Sequence, residues 1–272
     1  MVNWILETSF HAFPAHESNN RDAWDALAPF YEQHWGTAFF DSATSLFRSF
    51  LSTRIKTGSS VLDLCCGTGN FAQWLQSRGM VVSGVDNSAQ MLACAQAKMP
   101  TAEFYAGDMR EFQLLRHFDA VTCFYNSINE ALTLSCLQGI FSSVREHLRV
   151  GGWFLFDVIQ ENGYLEFWEA DDVVRLGVSR CRLQYRYDKA RSLALCHASI
   201  AGAAGEPKRD YTLCQRPFEE ATIRIELARA GFAIEKISSV RNALPRLGRL
   251  AVLARAIDRS GVPFEGSDFL KP

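Results

Sequence analysis

The sequence predicts an α/β fold built on a mostly parallel sheet. Short apolar runs alternate with segments of helical periodicity between residues 61 and 160, as in sheets whose parallel strands are joined by crossover helices. The first apolar run passes through a turn at Gly67 and Gly69 directly into a helix. From residue 160 to about residue 217 this alternation stops, and a strand-like pattern replaces it. We therefore expect one α/β core that is interrupted by a β insertion.

Length and composition are those of an ordinary globular protein. The 272 residues are 48% hydrophobic and 21% charged, enough for one large domain with a complete core. A net charge of −2 and a pI near 6.3 give no electrostatic footprint for nucleic acid or anionic lipid. No apolar run in the sequence approaches the roughly 20 residues that span a bilayer. Eight cysteines without paired C-x-x-C spacing indicate reduced thiols in a cytoplasmic protein and no zinc site.

The predicted elements follow one another in a regular order. Core strands are predicted at residues 61–64, 80–86, 102–106, 118–124, 153–158, 234–240 and 249–256. Helices are predicted from Asn20, over residues 42–55 and 70–79, from Ser88, over residues 134–148 before the pair Gly151-Gly152, and over residues 218–230. In the insertion, antiparallel strands are predicted at residues 173–178, 181–187 and 193–200.

The glycine turn is the strongest local signal for a ligand site. Glycines lack a Cβ atom and let a ligand approach the backbone, while the N–H groups that begin the next helix face the same space. Gly67, Gly69 and Ala72 also satisfy the loose dinucleotide-binding pattern G-x-G-x-x-G/A, so spacing alone leaves two cofactors open. Asp63 lies just before the glycines, where a carboxylate repels a pyrophosphate but suits a ligand that bears an ammonium group.

The stretch from Asp63 to Gly69 resembles motif I of the class I S-adenosylmethionine-dependent methyltransferases, D/E-x-G-x-G-x-G. Cys65 stands where the first glycine of that motif usually lies, which is compatible with the motif if the Cys65 backbone is extended. The resemblance implies a Rossmann-like sheet of seven strands with an antiparallel last strand, covered by an N-terminal helical cap. It also implies that Asp63, Cys65, Gly67 and Gly69 bind S-adenosylmethionine. A glycine-rich turn without a ligand is the alternative for any α/β protein.

A second acid follows the second predicted strand. Asp86 ends that strand, and a carboxylate at this place can accept both ribose hydroxyls of either NAD or S-adenosylmethionine. Ser88 is suited to be the N-cap of the next helix. By resemblance, Asn87 and Met91 line the adenosine pocket, although a helical Met is also a common core residue.

The third strand tip separates the two cofactors better than the glycines do. Gly107, Asp108 and Met109 follow the third predicted strand. They resemble the adenine pocket of methyltransferases, in which the acid accepts a hydrogen bond from the exocyclic amine. Dinucleotide-binding enzymes have no comparable need for that carboxylate, and the alternative here is a plain turn aspartate.

The methyl acceptor is expected at the tip of the fourth strand. Phe124 ends this strand and is placed to pack near the sulfonium, while Tyr125 and Asn126 are candidates to hydrogen-bond the acceptor. The N-P-P-Y or D-P-P-Y motif of nucleic-acid and protein-amide N-methyltransferases is absent at this position. By resemblance, Tyr31 in the cap reaches the methionine end of the cofactor or the transfer centre, or else it is a core residue.

These observations predict a methyltransferase that moves a methyl group from S-adenosyl-L-methionine to a small-molecule N or O acceptor and leaves S-adenosyl-L-homocysteine. No general base is strictly required for an amine, whereas an oxygen acceptor needs one, and His34 or His197 can serve. The alternatives are a non-catalytic binding or regulatory protein of the same fold, a relative that uses the same cofactor for other chemistry, and a nicotinamide oxidoreductase. We expect no nucleic-acid, membrane or metal partner, and the sequence leaves the oligomeric state open.

The predicted organisation has four parts. Residues 1–56 form the helical cap, residues 57–159 and 217–257 form the cofactor-binding core, and residues 160–216 form a β insertion that acts as a substrate lid. Residues 258–272 form a tail.

Overall fold

A computed structural model describes residues 20–202, 207–240 and 247–258 of the chain. The helices are α1 (Asn20–Tyr31), α2 (Thr37–Phe50), α3 (Asn70–Ser77), α4 (Ala89–Lys98), α5 (Leu134–Glu146), α6 (Glu161–Phe167) and α7 (Glu220–Arg229). A π-helical turn (Glu32–Gly36) joins α1 to α2, and a 3-10 turn (Ser127–Glu130) precedes α5.

The strands form two separate sheets. The core sheet contains β1 (Ser60–Leu64), β2 (Val81–Asp86), β3 (Glu103–Ala106), β4 (Phe118–Cys123), β5 (Leu148–Ile159), β10 (Phe232–Ser239) and β11 (Arg249–Ala256). The insertion sheet contains β6 (Ala170–Leu176), β7 (Ser179–Asp188), β8 (Leu193–Ala201) and β9 (Arg209–Gln215).

The core sheet has the strand order β10-β11-β5-β4-β1-β2-β3. Strands β1 to β5 are parallel, and β11 is antiparallel to both of its neighbours, which confirms the predicted fold class. Val61 of the central strand pairs with Val82 on one side and with Ala120 on the other. The chain therefore extends the sheet first to one side of β1 and then to the other, and ligands of such sheets bind at the carboxyl ends near this switch point.

Helices cover both faces of the core sheet because its strands are apolar on both sides. All five residues of β1 are buried. Leu137 of α5 and Leu227 of α7 pack in one apolar cluster, while Phe71 of α3 and Phe50 of α2 pack in a second cluster. Full burial of such a side chain contributes about 1.5–3 kcal/mol, so these two layers fix the sheet and the strand tips that it carries.

Helix α1 lies between the core and the insertion sheet. Leu27 and Phe30 pack with Leu183 and Cys196 of the insertion sheet in a third apolar cluster. On the core side, Asp25 accepts hydrogen bonds from the hydroxyl of Ser88 at 2.6 Å and from the backbone N–H of Gln90 at 3.0 Å. Since these groups form the N-terminus of α4, where negative charge is favoured, α1 is fixed to a core element beside the strand tips.

Two helix ends differ from the prediction. The second helix was expected over residues 42–55, but α2 runs from Thr37 to Phe50, and Ile55 packs in the core after the helix has ended. The helix before the fifth strand was expected to end at Gly151-Gly152, but α5 ends at Glu146 and both glycines lie inside β5. The register between β4 and β5 shifts at this place, and Gly151 supplies the left-handed φ of 81° that the irregularity needs.

Two elements of the insertion escaped prediction. Helix α6 is only seven residues long and contains a glycine, so its helical period is too short to recognise. Strand β9 begins with the polar pair Arg209-Asp210, which hides its alternation. Ser88 was correctly predicted as an N-cap, because its hydroxyl accepts a hydrogen bond from the Met91 N–H at 3.1 Å. Residues 1–19 and 259–272, which include most of the predicted tail, lie outside the described residues.

Substituting Gly69 tests how closely α3 and α4 pack. Gly69 has a φ of 79°, and a Cβ atom there would lie 2.9 Å from the Cβ atom of Ala95 in α4. We expect Gly69→Ala to lower the free energy of unfolding by about 2–5 kcal/mol, from left-handed strain together with overpacking. Gly58→Ala is the matched control, because Gly58 has a φ of 86° and open space around it. Urea unfolding should show a loss of only about 1–2 kcal/mol in the control; equal losses would contradict close packing at Gly69.

Candidate active site

A cavity of about 1280 Å³ opens at the carboxyl ends of the core strands. Its floor is the glycine turn and the tips of β2, β3 and β4, and its roof is α1, the π-helical turn and the insertion. A single drug-sized ligand needs roughly 300–1,000 Å³, so the cavity has room for a cofactor and a second small molecule. Twelve of the predicted site residues line it, namely Tyr31, Cys65, Gly67, Asp86, Asn87, Met91, Gly107, Asp108, Met109, Phe124, Tyr125 and Asn126.

The two motif glycines have different roles. Gly67 lines the cavity with a φ of 53°, and a Cβ atom built on it meets no atom within 4 Å. Its open side therefore faces the ligand space. Gly69 was expected to bind the cofactor, but it is not among the lining residues and packs against α4 instead.

Cys65 has a left-handed backbone, with a φ of 57°. The condition that made Cys65 compatible with motif I, an extended backbone, is therefore not met. The chain leaves β1 at Leu64, and the Cys66 N–H then donates to the Val85 carbonyl oxygen at 3.1 Å. A side chain in this conformation costs about 1–2 kcal/mol, which explains why the resembling motif has glycine here. The Cys65 thiol lines the cavity and contacts the Met109 sulfur at 3.6 Å.

Asp63 lies behind the cavity rather than in its lining. Its side chain is buried and accepts a hydrogen bond from the Thr122 hydroxyl at 3.0 Å. Burial raises the pKa of Asp63 to about 7, against the opposing effect of the Thr122 hydrogen bond. Asp63 is not among the residues that line the cavity, and its direct contact with a ligand ammonium group stays a prediction.

Asp86 joins the glycine turn to the tip of β2. Its carboxylate accepts hydrogen bonds from the backbone N–H groups of Gly67 at 2.8 Å and Ser88 at 2.9 Å. Burial raises the pKa of Asp86, while these backbone hydrogen bonds oppose the rise. Each carboxylate oxygen has a further lone pair, so Asp86 can hold the turn and still accept a hydrogen bond from a ligand in the cavity.

The tip of β3 presents a carboxylate held by an arginine. Asp108 accepts from the guanidinium of Arg110, with an Nε-to-Oδ1 distance of 2.8 Å. Burial alone would raise the pKa of Asp108, but Arg110 lowers it below its usual value. Asp108 is therefore ionised at neutral pH, and any ligand amine shares it with Arg110.

Glu130 was missed from the sequence and lies at the junction of α1 with the core. It accepts hydrogen bonds from the side chains of Asn20 and Trp24, both at 2.9 Å. Burial raises the pKa of Glu130 to about 7, against these two hydrogen bonds. Asn20 also exchanges hydrogen bonds with the backbone of Cys214 in β9, both at 3.1 Å. No local signal marks Glu130, because its partners lie more than 100 residues away in the chain.

A buried polar network shapes the tip of β4. Tyr125 and Asn126 have left-handed φ values of 64° and 52°. The Asn126 N–H donates to Asp157 at 3.1 Å, its side-chain nitrogen donates to Gln215 at 3.0 Å, and its side-chain oxygen accepts from Arg249 at 3.1 Å. Arg249 also forms a buried ion pair with Asp157. Asn126 was expected to bind the acceptor, but these bonds already engage both ends of its amide.

Aromatic rings form the wall of the cavity opposite the strand tips. Tyr31 lies 6.2 Å from Trp24 and 5.8 Å from Trp35 between ring centroids, and Trp168 lies 5.2 Å from Tyr185. We call these five side chains the aromatic wall, since all five line the cavity. Phe124 packs edge-on against Phe71 at 5.0 Å and continues the apolar surface at the β4 tip.

The described residues contain neither a cluster of three or more His, Cys, Asp or Glu side chains that could hold a metal ion nor a helix long and apolar enough to cross a membrane.

Comparison with known proteins identifies the central part of the chain. Residues 61–152 match the family model of a methyltransferase domain. This segment is therefore similar to a methyltransferase domain. It contains the glycine turn and the tips of β2, β3 and β4, and the resemblance seen at motif I is confirmed.

Curated relatives match up to about half of the chain. A putative methyltransferase of Geobacillus sp. (strain WCH70) is 36% identical over 140 residues, which are 50% of this chain and 57% of that protein. The dTDP-3-amino-3,4,6-trideoxy-alpha-D-glucopyranose N,N-dimethyltransferase of Streptomyces venezuelae is 32% identical over 130 residues, 45% of this chain and 52% of that protein. The matched region thus spans about half the length of these curated relatives.

Solved structures extend the similarity of fold beyond this domain. The sugar N-methyltransferase KedS8 from Streptoalloteichus sp ATCC 53650 has a TM-score of 0.71 at 24% identity, over 94% of this chain and 100% of that one. An S-adenosylmethionine-dependent methyltransferase from Clostridium acetobutylicum ATCC 824 has a TM-score of 0.69 at 20% identity, over 87% and 100%. The chain therefore has the fold of the class I methyltransferases.

The buried ion pair at the β4 tip gives a test of the site's framework. We expect Arg249→Met or Asp157→Leu alone to lower the free energy of unfolding by about 3–5 kcal/mol, because each leaves a buried charge without its partner. The double variant should lose less than the sum, since no uncompensated charge remains.

Urea unfolding of the four proteins measures this coupling. Arg224→Met is the matched control, because Arg224 pairs with Glu220 on the exposed face of α7 at 2.6 Å, and its loss should stay within about 0.5 kcal/mol. Strict additivity of the two core substitutions would contradict a coupled pair.

Proposed function

We propose that the chain is a methyltransferase that uses S-adenosyl-L-methionine, methylates a small-molecule amine and leaves S-adenosyl-L-homocysteine. The proposal rests on a cavity that runs from the strand tips to the aromatic wall. Gly67 follows β1, and Asp86 and Asp108 lie at the tips of β2 and β3. The cavity has room for two molecules side by side. The methyltransferase domain supplies the floor of that cavity, and the cap and insertion supply its roof.

The residues at the strand tips fit this cofactor. The open space at Gly67 admits a ligand that lies directly on the backbone. Asp86 is fixed by two backbone N–H groups and suits ribose hydroxyls, while Asp108 and Met109 suit the adenine amine and ring. Asp63, whose pKa burial raises to about 7, carries only part of its charge at neutral pH and would act at longer range.

The protein's contribution to methyl transfer is position and dehydration. S-Adenosylmethionine, when bound, supplies a methyl group on an already activated leaving group. The chain has to hold the acceptor lone pair in line with that methyl group, an effect worth up to about 7–11 kcal/mol. Phe124 and the aromatic wall exclude water from the space between the two molecules, and Tyr125 lines the same space.

The names of the relatives favour nitrogen as the acceptor. Three curated relatives are N,N-dimethyltransferases of dTDP-linked amino sugars, from Streptomyces venezuelae, Streptomyces fradiae and Saccharopolyspora spinosa. A cavity with aromatic faces and the carboxylate of Asp172 suits a polar amine, because aromatic faces and carboxylates both attract a cation. A hydroxyl acceptor is the second candidate, supported by the presence of His34 in the same lining.

The remaining parts of the chain take their roles from this site. Residues 20–56 and 160–216 would cover the cavity as a cap and a lid, with residues 57–159 and 217–257 as the cofactor-binding core. All eight cysteines are free thiols, which suits a reducing, cytoplasmic compartment.

Calorimetric titration with S-adenosylhomocysteine tests the cofactor assignment. Asp86→Ala should weaken binding by about 5- to 150-fold, because about 1–3 kcal/mol is lost when buried polar groups lose their partner. Asp119→Ala is the matched control. Asp119 also accepts from a backbone N–H, that of Ser60 at 2.8 Å, but lies at the amino end of β4, away from the cavity. Binding of NADH in place of S-adenosylhomocysteine, or equal affinities of both variants, would contradict the proposal.

A further inference from the structure

One ionisable pair in the cavity joins the cap to the insertion. His34 lies in the π-helical turn between α1 and α2, and its Nε2 atom is 3.5 Å from an oxygen of Asp172 on β6. The imidazole is 19% exposed and packs edge-on against Trp35 at 4.5 Å between ring centroids. Both His34 and Asp172 line the cavity beside the aromatic wall. Single π-helical turns occur frequently at functional sites, because they re-aim side chains out of the regular helical pattern.

We propose that His34 is the general base that removes a proton from the acceptor ammonium group, and that Asp172 is the positioning residue that orients its imidazole. This inference rests on the proposed methyl transfer to an amine. It adds a chemical role for the cap and the insertion, which meet at this pair.

The surroundings of His34 favour the neutral imidazole that a base needs. Burial lowers the pKa of His34, and the charge of Asp172 opposes this without reversing it. Asp171 beside it is paired with Arg182 and Arg186, each at 2.9 Å.

Other ionisable groups lie on the elements packed around His34. Burial raises the pKa of Tyr185 and raises that of Cys196 to about 12, so both stay protonated near neutral pH. Arg21 of α1 is paired with Asp22 at 3.5 Å, Tyr31 faces two tryptophan rings, and Asp41 of α2 is exposed. The neutral imidazole of His34 lines the cavity beside the protonated Tyr185 and Cys196 and is therefore placed to take a proton.

In a single turnover the proton is transferred first and the methyl group second. The acceptor arrives as R–NH₃⁺ and gives one proton to the imidazole, with Asp172 stabilising the imidazolium that forms. The freed nitrogen lone pair attacks the methyl carbon, so that an N–C bond forms and the S–C bond breaks, with its electron pair left on sulfur. The product is R–NH₂CH₃⁺ with S-adenosylhomocysteine, and His34 returns its proton to solvent.

The pH dependence of kcat/KM separates this role from a structural one. With dTDP-3-amino-3,6-dideoxy-α-D-glucose as the probe, the native protein should show a flat profile between neutral pH and the pKa of the amine. His34→Gln should be at least about 100-fold slower at pH 7 and should recover roughly tenfold per pH unit, as solvent deprotonates the amine. Asp172→Asn should show the same trend with a smaller loss.

His197→Gln is the matched control. His197 lies on β8, bonds the Thr212 hydroxyl at 3.0 Å and is not among the lining residues, so its variant should keep the native profile. A native-like profile in His34→Gln, with turnover intact, would overturn the assignment of the base while leaving the proposed function standing.

A second measurement does not depend on turnover. In protein labelled with ¹⁵N-histidine and saturated with S-adenosylhomocysteine, the His34 resonance, identified by its loss in His34→Gln, should titrate below pH 6.5. The titration should move to lower pH in Asp172→Asn, because the opposing charge is gone. An imidazole that is still protonated above pH 7 would overturn the proposal. Failure of S-adenosylhomocysteine to bind at all would instead contradict the proposed function and, with it, this inference.

Discussion

The carboxylate of Asp86 is the interaction on which the architecture of the site depends. By accepting from the N–H groups of Gly67 and Ser88, it fixes the glycine turn after β1 and the N-terminus of α4 to one point at the tip of β2. The hydroxyl of Ser88 then donates to Asp25, so the same point also anchors the cap helix α1. One half-buried acid thus couples the floor of the cavity to its roof. Burial penalises the charge of Asp86, so the hydrogen bonds from these N–H groups are needed to stabilise its carboxylate.

A second set of buried polar groups holds the far side of the cavity. Asn126 sits in a left-handed conformation at the tip of β4 and is engaged by Asp157, Gln215 and Arg249, from β5, β9 and β11. The network therefore links the core sheet to the last strand of the insertion. The hydrogen bonds of this network stabilise the left-handed backbone at Asn126, because such a strained conformation persists only where the surrounding contacts hold it in place. The insertion and the core are in this way parts of one site rather than independent modules.

The residues at the tips of β1, β2 and β3 could be predicted because their signals are local. Asp86 and Asp108 lie at the ends of apolar runs, and Gly67 and Gly69 stand between an apolar run and a helical one, so period and spacing suffice. The opposite side of the cavity depends on pairs far apart in the chain: Glu130 lies 110 residues from Asn20, and Arg249 lies 123 residues from Asn126. The left-handed backbone at Cys65 was missed because a side chain gives no local sign of a positive φ. Asp63 was assigned to the ligand from its place in the motif. In the structure its side chain is buried within β1 and accepts a hydrogen bond from the Thr122 hydroxyl.

The central claim is that a sulfonium nucleoside lies across the glycine turn and the tips of β2 and β3. A crystal structure of the chain grown with S-adenosylhomocysteine tests it most directly. We expect density with the amino-acid portion over Gly67, the ribose against Asp86 and the adenine beside Asp108. Density for the ligand anywhere else, or side chains that fill the space over Gly67 in the crystal, would contradict this position of the nucleoside.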